Sequence, residues 1–597
     1  MSLGRSIWGA IHIGVLLSCT LGGSAQATQR APSPTNERLP ITYFVDCTSQ
    51  SQNGEGSERL PINSLAQVNS LSLHAGDSVL FKRGSICKGS LEPRGSGENG
   101  NPIRLGAYAE GPLPRIQAQQ SDESALRLYN QSFWEVSSLD LAGGTTYGIY
   151  ASGDAANLKY LHLRDVRVHD VRGPLKHKES GLVVIRASTE QADYEDVELD
   201  GVEACDTTQW SGIFISGASH VRVRNSTVHD VQGDGIVVFH ANDAVISRSL
   251  AWHTGMQHQF TIGTPNAIWT WQCTDCTVED NEAFLTDSPG IDGGSFDIDF
   301  GNTRNSVRHN FGHDTAGYCV SIFGAFGPTV DSRVTDNLCL NNGTSPRLAQ
   351  RQGALLLMTW QGGSLEGVAI LGNRIYWDPP GETPALQAGD NLNAAGVVFS
   401  SNDLWSSGLV FVDPALPYSG DHNHYRLGGV DSADEREARP MFLALHETGS
   451  TLTIEKSGSN RVGKFGMAAT NTTGWRLELS VPAGPLGKDV EDDLRGILVQ
   501  LKSAALQFSH CGLKVTIGGP SLAALAVDWS LQTDGVSFDK TIRSVQEPSL
   551  RLVSPYGKVL RQWHTYPSPV DLGLSLRQNI GPPDYSHLSL EEVRAKD

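Results

Sequence analysis

Val223-Arg224-Asn225-Ser226 is one copy of a phrase that returns as Ile246-Ser247-Arg248-Ser249, Val278-Glu279-Asp280-Asn281 and Val307-Arg308-His309-Asn310, then as Val334-Thr335-Asp336-Asn337 and Ile370-Leu371-Gly372-Asn373. Each copy runs from an apolar residue through two mostly polar ones to a small residue or Asn, followed by further apolar residues and a polar turn. Weaker copies begin at Leu163 and Leu199. The final positions lie 24 or fewer residues apart from Val202 to Ser226 to Ser249 and 27 to 36 apart afterwards, the periodicity of a solenoid with loops of unequal length.

A second apolar run follows each phrase with period-2 alternation, often opened by Gly: Gly148-Ile149-Tyr150, Gly181-Leu182-Val183-Val184, Gly212-Ile213-Phe214-Ile215 and Gly235-Ile236-Val237-Val238. The series continues as Ala267-Ile268-Trp269-Thr270-Trp271, Ser295-Phe296-Asp297-Ile298-Asp299 and Val320-Ser321-Ile322. With almost no helix pattern between such strands, a doubly wound α/β fold is excluded, because its crossovers need helices. The pattern predicts an all-β coil of parallel strands, with Ile213, Ile236, Ile268 and Phe296 in one inward column. An amide at the phrase's last position both donates and accepts, so Asn on successive coils can bond to one another in a buried turn.

The amino terminus carries Arg5, an apolar stretch from Ile7 to Leu21 and the small-residue ending Ser24-Ala25-Gln26-Ala27. This reads as a secretory signal over 1–27, with a lipoprotein signal at Leu16-Leu17-Ser18-Cys19 as the alternative. The chain is thus expected to be secreted or periplasmic, with no membrane insertion, since no later stretch reaches the apolar length of a membrane helix. Its formal charge of −19 argues against nucleic acid as a partner. Export permits disulfides, and Cys47 and Cys87, both near the start, are expected to pair. Cys273 and Cys276 form a lone C-x-x-C, read as buried small residues rather than metal or redox ligands.

Tyr43-Phe44-Val45-Asp46, Ser64-Leu65-Ala66-Gln67-Val68-Asn69, Gly76-Asp77-Ser78-Val79-Leu80-Phe81-Lys82-Arg83-Gly84 and Pro102-Ile103-Arg104-Leu105-Gly106-Ala107-Tyr108 together resemble the capped start of secreted right-handed parallel β-helix proteins of the pectate-lyase-like superfamily. The resemblance covers roughly residues 40 to 400 and implies a right-handed parallel β-helix. It leaves the reaction open, because this fold hosts lyases, hydrolases, esterases and binding proteins. Leu65, Val68 and Leu71 at helical spacing predict a short helix closing the solenoid's first edge. After about residue 426 the phrase disappears. Ala433 to Glu447 and Lys488 to Phe508 have helical composition, and Trp475 to Ser480 and Leu513 to Ile517 look like strands. The expected organisation is a helix-capped solenoid over 28–425 and a smaller mixed α/β extension over 426–597.

Alternate residues of a strand face the same way. With Phe296 and Ile298 inward, Asp297 and Asp299 project outward together, and the same register one coil earlier puts Trp269 and Trp271 outside beside them. Exposed aromatics suit sugar rings, and paired carboxylates are what glycosidic hydrolysis requires. Asp292 and Asp314 are candidate third carboxylates. His169-Asp170, His229-Asp230 and His313-Asp314 recur after the rung phrase as a repeated turn contact, with His313 alone kept as a catalytic candidate. Arg304, Arg308 and Arg333 on nearby coils are candidate substrate ligands. An Asp-x-Asp on a solenoid can equally bind calcium or be merely solvated.

No lysine lies between Lys178 and Lys456, which argues against a lysine base on the central rungs and so against a lyase. The nearest hydrolase analogy is polygalacturonase, from which this sequence departs by lacking Gly-His-Gly and Arg-Ile-Lys motifs. The expectation is a monomeric glycoside hydrolase acting on a polysaccharide or oligosaccharide, needing no cofactor, its acid and base drawn from Asp297, Asp299 and Asp292. A calcium-assisted polysaccharide lyase and a glycan-binding solenoid without turnover are the alternatives.

Overall fold

The computed structural model describes residues 38–456, apart from short segments at 51–53, 176, 190–192, 257–263, 341, 378–382 and 431, together with six strands between 467 and 563. The expected signal segment lies outside the described residues. The solenoid lies within the compact unit that begins at Pro40.

Parallel strands stack rung upon rung on three faces. One face passes from Leu126–Tyr129 through Tyr147–Gly153, Gly181–Ala187, the first half of Ser211–Arg224, the first half of Ile236–Ser247 and Ile268–Thr274 to Phe296–Ile298, Val320–Ala325, Leu355–Trp360 and Leu386–Ala388. The second half of the same two long strands belongs to a second face that continues through Thr277–Glu279, Ser306–Arg308 and Arg333–Thr335. A third face carries Arg167–Val171, Glu203–Thr207, Thr227–His229, Leu250–Trp252, Glu282–Phe284 and Phe311–His313. Between the first two faces the backbone turns through the left-handed region at Gly217, His240, Gln272 and Gly301, with φ of 66°, 50°, 47° and 74°.

The inward column forms as expected: Ile213 pairs with Ile236, Ile236 with Ile268 and Ile268 with Phe296, and none of the four is exposed. Full burial of each such side chain contributes about 1.5–3 kcal/mol, so the period-2 pattern and the core are one fact seen twice.

The amide ladder also forms. Along the series Asn281, Asn310, Asn337, Asn373, Asn402 and Asn423, every Asn before the last donates from Nδ2 to Oδ1 of the next, at 3.0–3.1 Å, and the same Oδ1 accepts the backbone N–H of the Asn before it. Ser249 and Ser226 hold the equivalent place on earlier coils. All are buried.

The capping helix is Leu65–Ser70, with Ser64 as its N-cap and Leu65 and Val68 buried. Cys47 and Cys87 are bonded, with Cα atoms 5.2 Å apart. Cys273 and Cys276 are buried but are more than small core residues: they are bonded to each other, because the left-handed corner at Gln272 and the turn at Asp275 fold two inward-facing sulfurs together. Cys319–Cys339 is a further bridge, one coil turn long.

Parallel pairing continues past 425, since His424–Val430 carries Thr451–Lys456 on the next rung. The phrase fades from the sequence there because the helix Ser432–Leu443 lengthens the connection. Farther on the described strands are antiparallel: Met467–Thr470, Arg476–Ser480, Ser549–Val553 and Val559–Trp563 form one sheet, and Leu506–His510 pairs with Leu513–Ile517. Lys488–Ala505 lies outside the described residues, and the end of that expected helix, Leu506–Phe508, is strand.

Candidate active site

On the first face the register sets Trp269 directly beside Asp297, and Asp299 follows two residues on, its backbone N–H bonded to Thr270 O at 3.0 Å. The expected tryptophan–aspartate patch therefore exists. Its exposure differs from expectation: Trp269 and Asp297 are 3% and 1% exposed, while Trp271 and Asp299 are half-buried. Trp269 does not offer an open face because it belongs to an outer aromatic cluster with Tyr147, Val184, Phe214 and Val237.

Both carboxylate oxygens of Asp297 are engaged. Ser321 Oγ donates to one at 2.7 Å and Asn266 Nδ2 to the other at 3.1 Å. Asn266 is itself oriented by donors to its oxygen, Tyr318 OH at 2.9 Å and Gly294 N at 3.0 Å. Gly294 has a reason to be Gly, since an added Cβ would sit 2.1 Å from the Tyr318 ring. Asp299 accepts from Phe300 N at 2.8 Å through one oxygen; among the described residues its other oxygen has no hydrogen-bond partner.

Asp292, before the strand, has a left-handed backbone (φ 66°). Its amide and carbonyl are bracketed by the Gln352 side chain, whose oxygen accepts from Asp292 N at 2.9 Å and whose nitrogen donates to Asp292 O at 3.1 Å. Its carboxylate meets the hydroxyls of Thr264 and Tyr318.

A fourth carboxylate joins them. Asp234, two rungs before Gly294, accepts from Trp210 Nε1 at 2.5 Å, from Trp269 Nε1 at 3.0 Å and from Asn266 N at 3.1 Å. Lys178 enters from the turn ahead of Gly181–Ala187, its Nζ 5.2 Å from the centre of the Trp269 ring. Its charge lowers the pKa of all four aspartates. The expectation that no lysine serves the central rungs is thereby corrected. Lys178 is three rungs before Trp269 and four before Asp297 along the chain, but its turn projects it into the site.

One lysine does not balance four buried carboxylates. Burial first, and then the Asp299 and Asp292 charges, holds Asp297 well above the usual carboxylate range. Burial pushes Asp299 up to about 7, with the charges of Asp292 and Asp234 adding to it against the Phe300 amide. Burial likewise takes Asp292 up to about 6, against the Thr264 hydroxyl and Lys178. Asp234 is raised by burial as well. Asp292 and Asp299, raised to about 6 and about 7, are placed to exchange protons near neutral pH.

The remaining candidates lie elsewhere. His313 and Asp314 are on the third face, where His313 Nδ1 meets Asp314 at 2.8 Å and Nε2 meets Glu282 at 3.1 Å. His169–Asp170 and His229–Asp230 repeat that contact at 2.7 and 2.8 Å, each Asp in a left-handed turn, so the repeated-turn reading holds and extends to His313. Arg304 and Arg308 pair with Asp275 and Glu279, both at 2.6 Å, and Arg333 is exposed on the strand after Arg308. The corner at Gly301 turns Arg304 and Arg308 away toward the second face, and on the next coil the left-handed backbone at Phe326 and Gly327 does the same for Arg333.

Residues 195–375 match the family described as right handed beta helix region. This segment is a right-handed parallel β-helix. No curated protein matches the chain in sequence. Among solved structures the β-helix is similar to the GH136 lacto-N-biosidase from Eubacterium ramulus, at 20% identity over 61% of this chain and 67% of that one, with a TM-score of 0.44. It is also similar to XylC in complex with xylose, at 9% identity over 76% and 90% of the two chains, with a TM-score of 0.39. A third is the Azotobacter vinelandii mannuronan C-5 epimerase AlgE6 A-module, at 11% over 64% and 91%, with a TM-score of 0.38. At these identities and scores no residue role passes from them to this β-helix.

Proposed function

We propose that the protein is a secreted glycoside hydrolase acting on a polysaccharide or oligosaccharide, with Asp299 and Asp292 as its acid and base and Asp297 supporting them from beneath. The observation that carries this reading is the convergence of Asp234, Asp292, Asp297 and Asp299 on one place beside Lys178 and the Trp269 ring. Glycosidic cleavage needs one carboxyl group that holds a proton for the leaving oxygen and a second, ionised one that attacks or activates water. Two carboxyl groups titrating near 7 and near 6 meet that need at neutral pH, and the higher of them, Asp299, is the acid. Among the described residues Asp299 also keeps an oxygen without a hydrogen-bond partner, whereas Asp297 has both oxygens committed to Asn266 and Ser321. No cofactor is needed for this chemistry.

Lys178 favours a second reading, a polysaccharide lyase, by supplying the basic side chain that such a reaction uses. A lyase, however, has to hold a uronate carboxylate where four aspartates already crowd one ammonium group. That charge balance supports hydrolysis of an uncharged sugar. The purified protein, incubated with neutral and uronate polysaccharides, is expected to release reducing ends without absorbance in the unsaturated-uronate band. Absorbance rising in step with reducing ends establishes the lyase, and neither signal on any glycan that binds establishes a solenoid without turnover.

A further inference from the structure

The third face is buried on its outer side as well as its inner one. Strand alternation sends Ala204, Val228, Ala251 and Ala283 into the solenoid core and their neighbours outward. The outward row runs from Cys205 through His229, Trp252, Phe284 and His313 to Leu340, and none of these is more than 9% exposed. Among the described residues the outward apolar groups cluster with members of this same face, Trp252 with Leu250 and Phe284, and Leu340 with Phe311, Leu338 and Trp405. An outward face buried this completely has a further layer of chain over it. Cys205 indicates which chain. The bridges between described cysteines are Cys47–Cys87, Cys273–Cys276 and Cys319–Cys339. Cys205 is disulfide-bonded as well; it stands with Glu203 and His229 in a group whose ligand atoms lie within 4.8 Å of one another, but a sulfur already in a disulfide is no metal ligand. The sequence holds nine cysteines, and those left are Cys19 and Cys511. Cys19 falls in the apolar stretch expected as a signal, where it is cleaved away or lipidated.

We infer that the outer side of the third face is the docking surface for the chain's own carboxy-terminal extension, residues 457–597, held there by a disulfide between Cys205 and Cys511. The inference is independent of the hydrolase reading. The chain leaves the solenoid at the right place: its last described rung, Thr451–Lys456, belongs to the third face, so the extension starts at the edge of the surface that needs a cover. Cys511 is also well placed in sequence. It stands between Leu506–His510 and Leu513–Ile517, which pair with each other, so its sulfur can be bonded without interrupting either strand. The extension's larger sheet has a matching need. Its register aligns Met467, Leu479, Leu550 and Trp563 in one row and Ala468, Glu478, Arg551 and Gln562 in the next, the alternation of a sheet with one apolar face to bury. Forming the bond takes two protons and two electrons from the two thiols and passes them to a disulfide oxidant of the export compartment, which leaves as two thiols.

The test uses the full exported chain, alkylated and digested without reductant. The expected result is a peptide pair that joins Cys205 to Cys511 and separates on reduction. Cys205→Ser and Cys511→Ser should each lower the melting temperature by about 2 °C or more, and the double variant should melt no lower than either, since one bond can be lost only once. Hydroxyl-radical footprinting of the intact chain reads the cover itself: Trp252 and Trp405 should be labelled about tenfold or more slowly than the exposed Phe326. Cys205 recovered in alkylated form overturns the inference, as does its linkage to Cys19 or, in a dimer on a non-reducing gel, to a second chain. Additive losses of melting temperature in the double variant also overturn it, because the two cysteines then act separately. Labelling of Trp252 and Trp405 as fast as Phe326 overturns the docking even if the bond is found.

Discussion

The first and third faces of the solenoid both bury carboxylates, and the two do opposite things with them. On the third face every acid has a basic neighbour: His169 sits between Asp140 and Asp170 at 2.7 Å each, and His229 and His253 both bond Asp230. Burial works against the Asp230 charge, but the two histidines more than offset it and hold its carboxyl far below the usual range. On the first face four aspartates share Lys178 and raise one another. Burial is common to both, so it does not separate structure from catalysis. Local charge balance does: a matched pair is inert, and a surplus of one sign leaves protons poised to move.

The comparison breaks most visibly through activity. Asp299→Asn and Asp292→Asn keep size and polarity while removing the titrating group, so turnover should fall about 10²-fold or more with binding retained, as initial-rate kinetics will show. His313→Asn on the third face should leave kcat nearly unchanged and lower the melting temperature instead. Equal losses from both faces would end the distinction.

Next in size is a change that touches neither face's acids. Asn337→Ala strips the acceptor from Asn310 N and Asn310 Nδ2 and the donor from Val307 O and Asn373 Oδ1. It should cost about 2–3 kcal/mol in chemical denaturation, the scale of buried groups left unsatisfied. Asn337→Ser should cost less, because Ser226 and Ser249 already serve at that position.

The two faces should also tilt stability in different pH windows. A folded-state pKa raised for an acid means that the fold favours the protonated form. The Asp299 region therefore costs stability as pH climbs from about 4 through about 7. Asp299→Asn should melt about 2 °C or more above the wild type at pH 8, with the gap closing at pH 4. His169 is lowered by burial but lifted further by Asp140 and Asp170, to about 9. Its contribution is complete below about 6.5 and disappears as pH rises through about 9. His169→Asn should lose that alkaline slope in calorimetric scans.

The smallest effect sharpens the role of the lysine. Lys178→Gln removes the cation that favours ionised aspartates, so the acidic limb of the pH–kcat profile should move upward by about one unit, and Lys178→Arg should restore it. A fall in rate with the profile in place would make Lys178 a packing residue only.

How much of this was legible depends on how each residue is placed. Ile213, Ile236, Ile268 and Phe296 could be aligned because strand period and parallel register propagate from coil to coil. The same register carried Trp269 to Asp297. It could not reach Lys178 or Gln352, which enter from turns, where spacing in sequence says nothing about direction in space, whereas Asn266 and Tyr318 stand two residues before Ile268 and Val320, in the column of Gly294. Asp234 had a readable signal, since it precedes a Gly-opened strand two rungs before Gly294, in the same place as Asn266. Arg304, Arg308 and Arg333 were set beside the aspartates by chain proximity, and the left-handed corners at Gly301 and at Phe326 and Gly327 undid it. Exposure of Trp269 was misjudged because alternation separates inside from outside but does not reveal what covers the outside. Asn402 and Asn423 were missed because their phrases, Phe399-Ser400-Ser401-Asn402 and Gly420-Asp421-His422-Asn423, vary the apolar opening.

The amide ladder has a direction. Each Nδ2 from Asn281 onward points toward the carboxy-terminal neighbour, and the last, Asn423, donates to Glu447 Oε2 at 3.1 Å while its backbone N–H goes to Ser450 Oγ. Glu447 also takes the hydroxyls of Tyr418, Tyr425 and Ser450. A carboxylate accepts and has nothing to pass on, so it terminates the series chemically. Every interior junction, by contrast, presents the same donor and the same acceptor. A whole coil bearing one Asn can therefore be duplicated or deleted between Asn281 and Asn423 without orphaning an amide, whereas a coil added beyond Glu447 would find no donor to receive it. Among the described residues the ladder can change length in its middle and ends at Glu447.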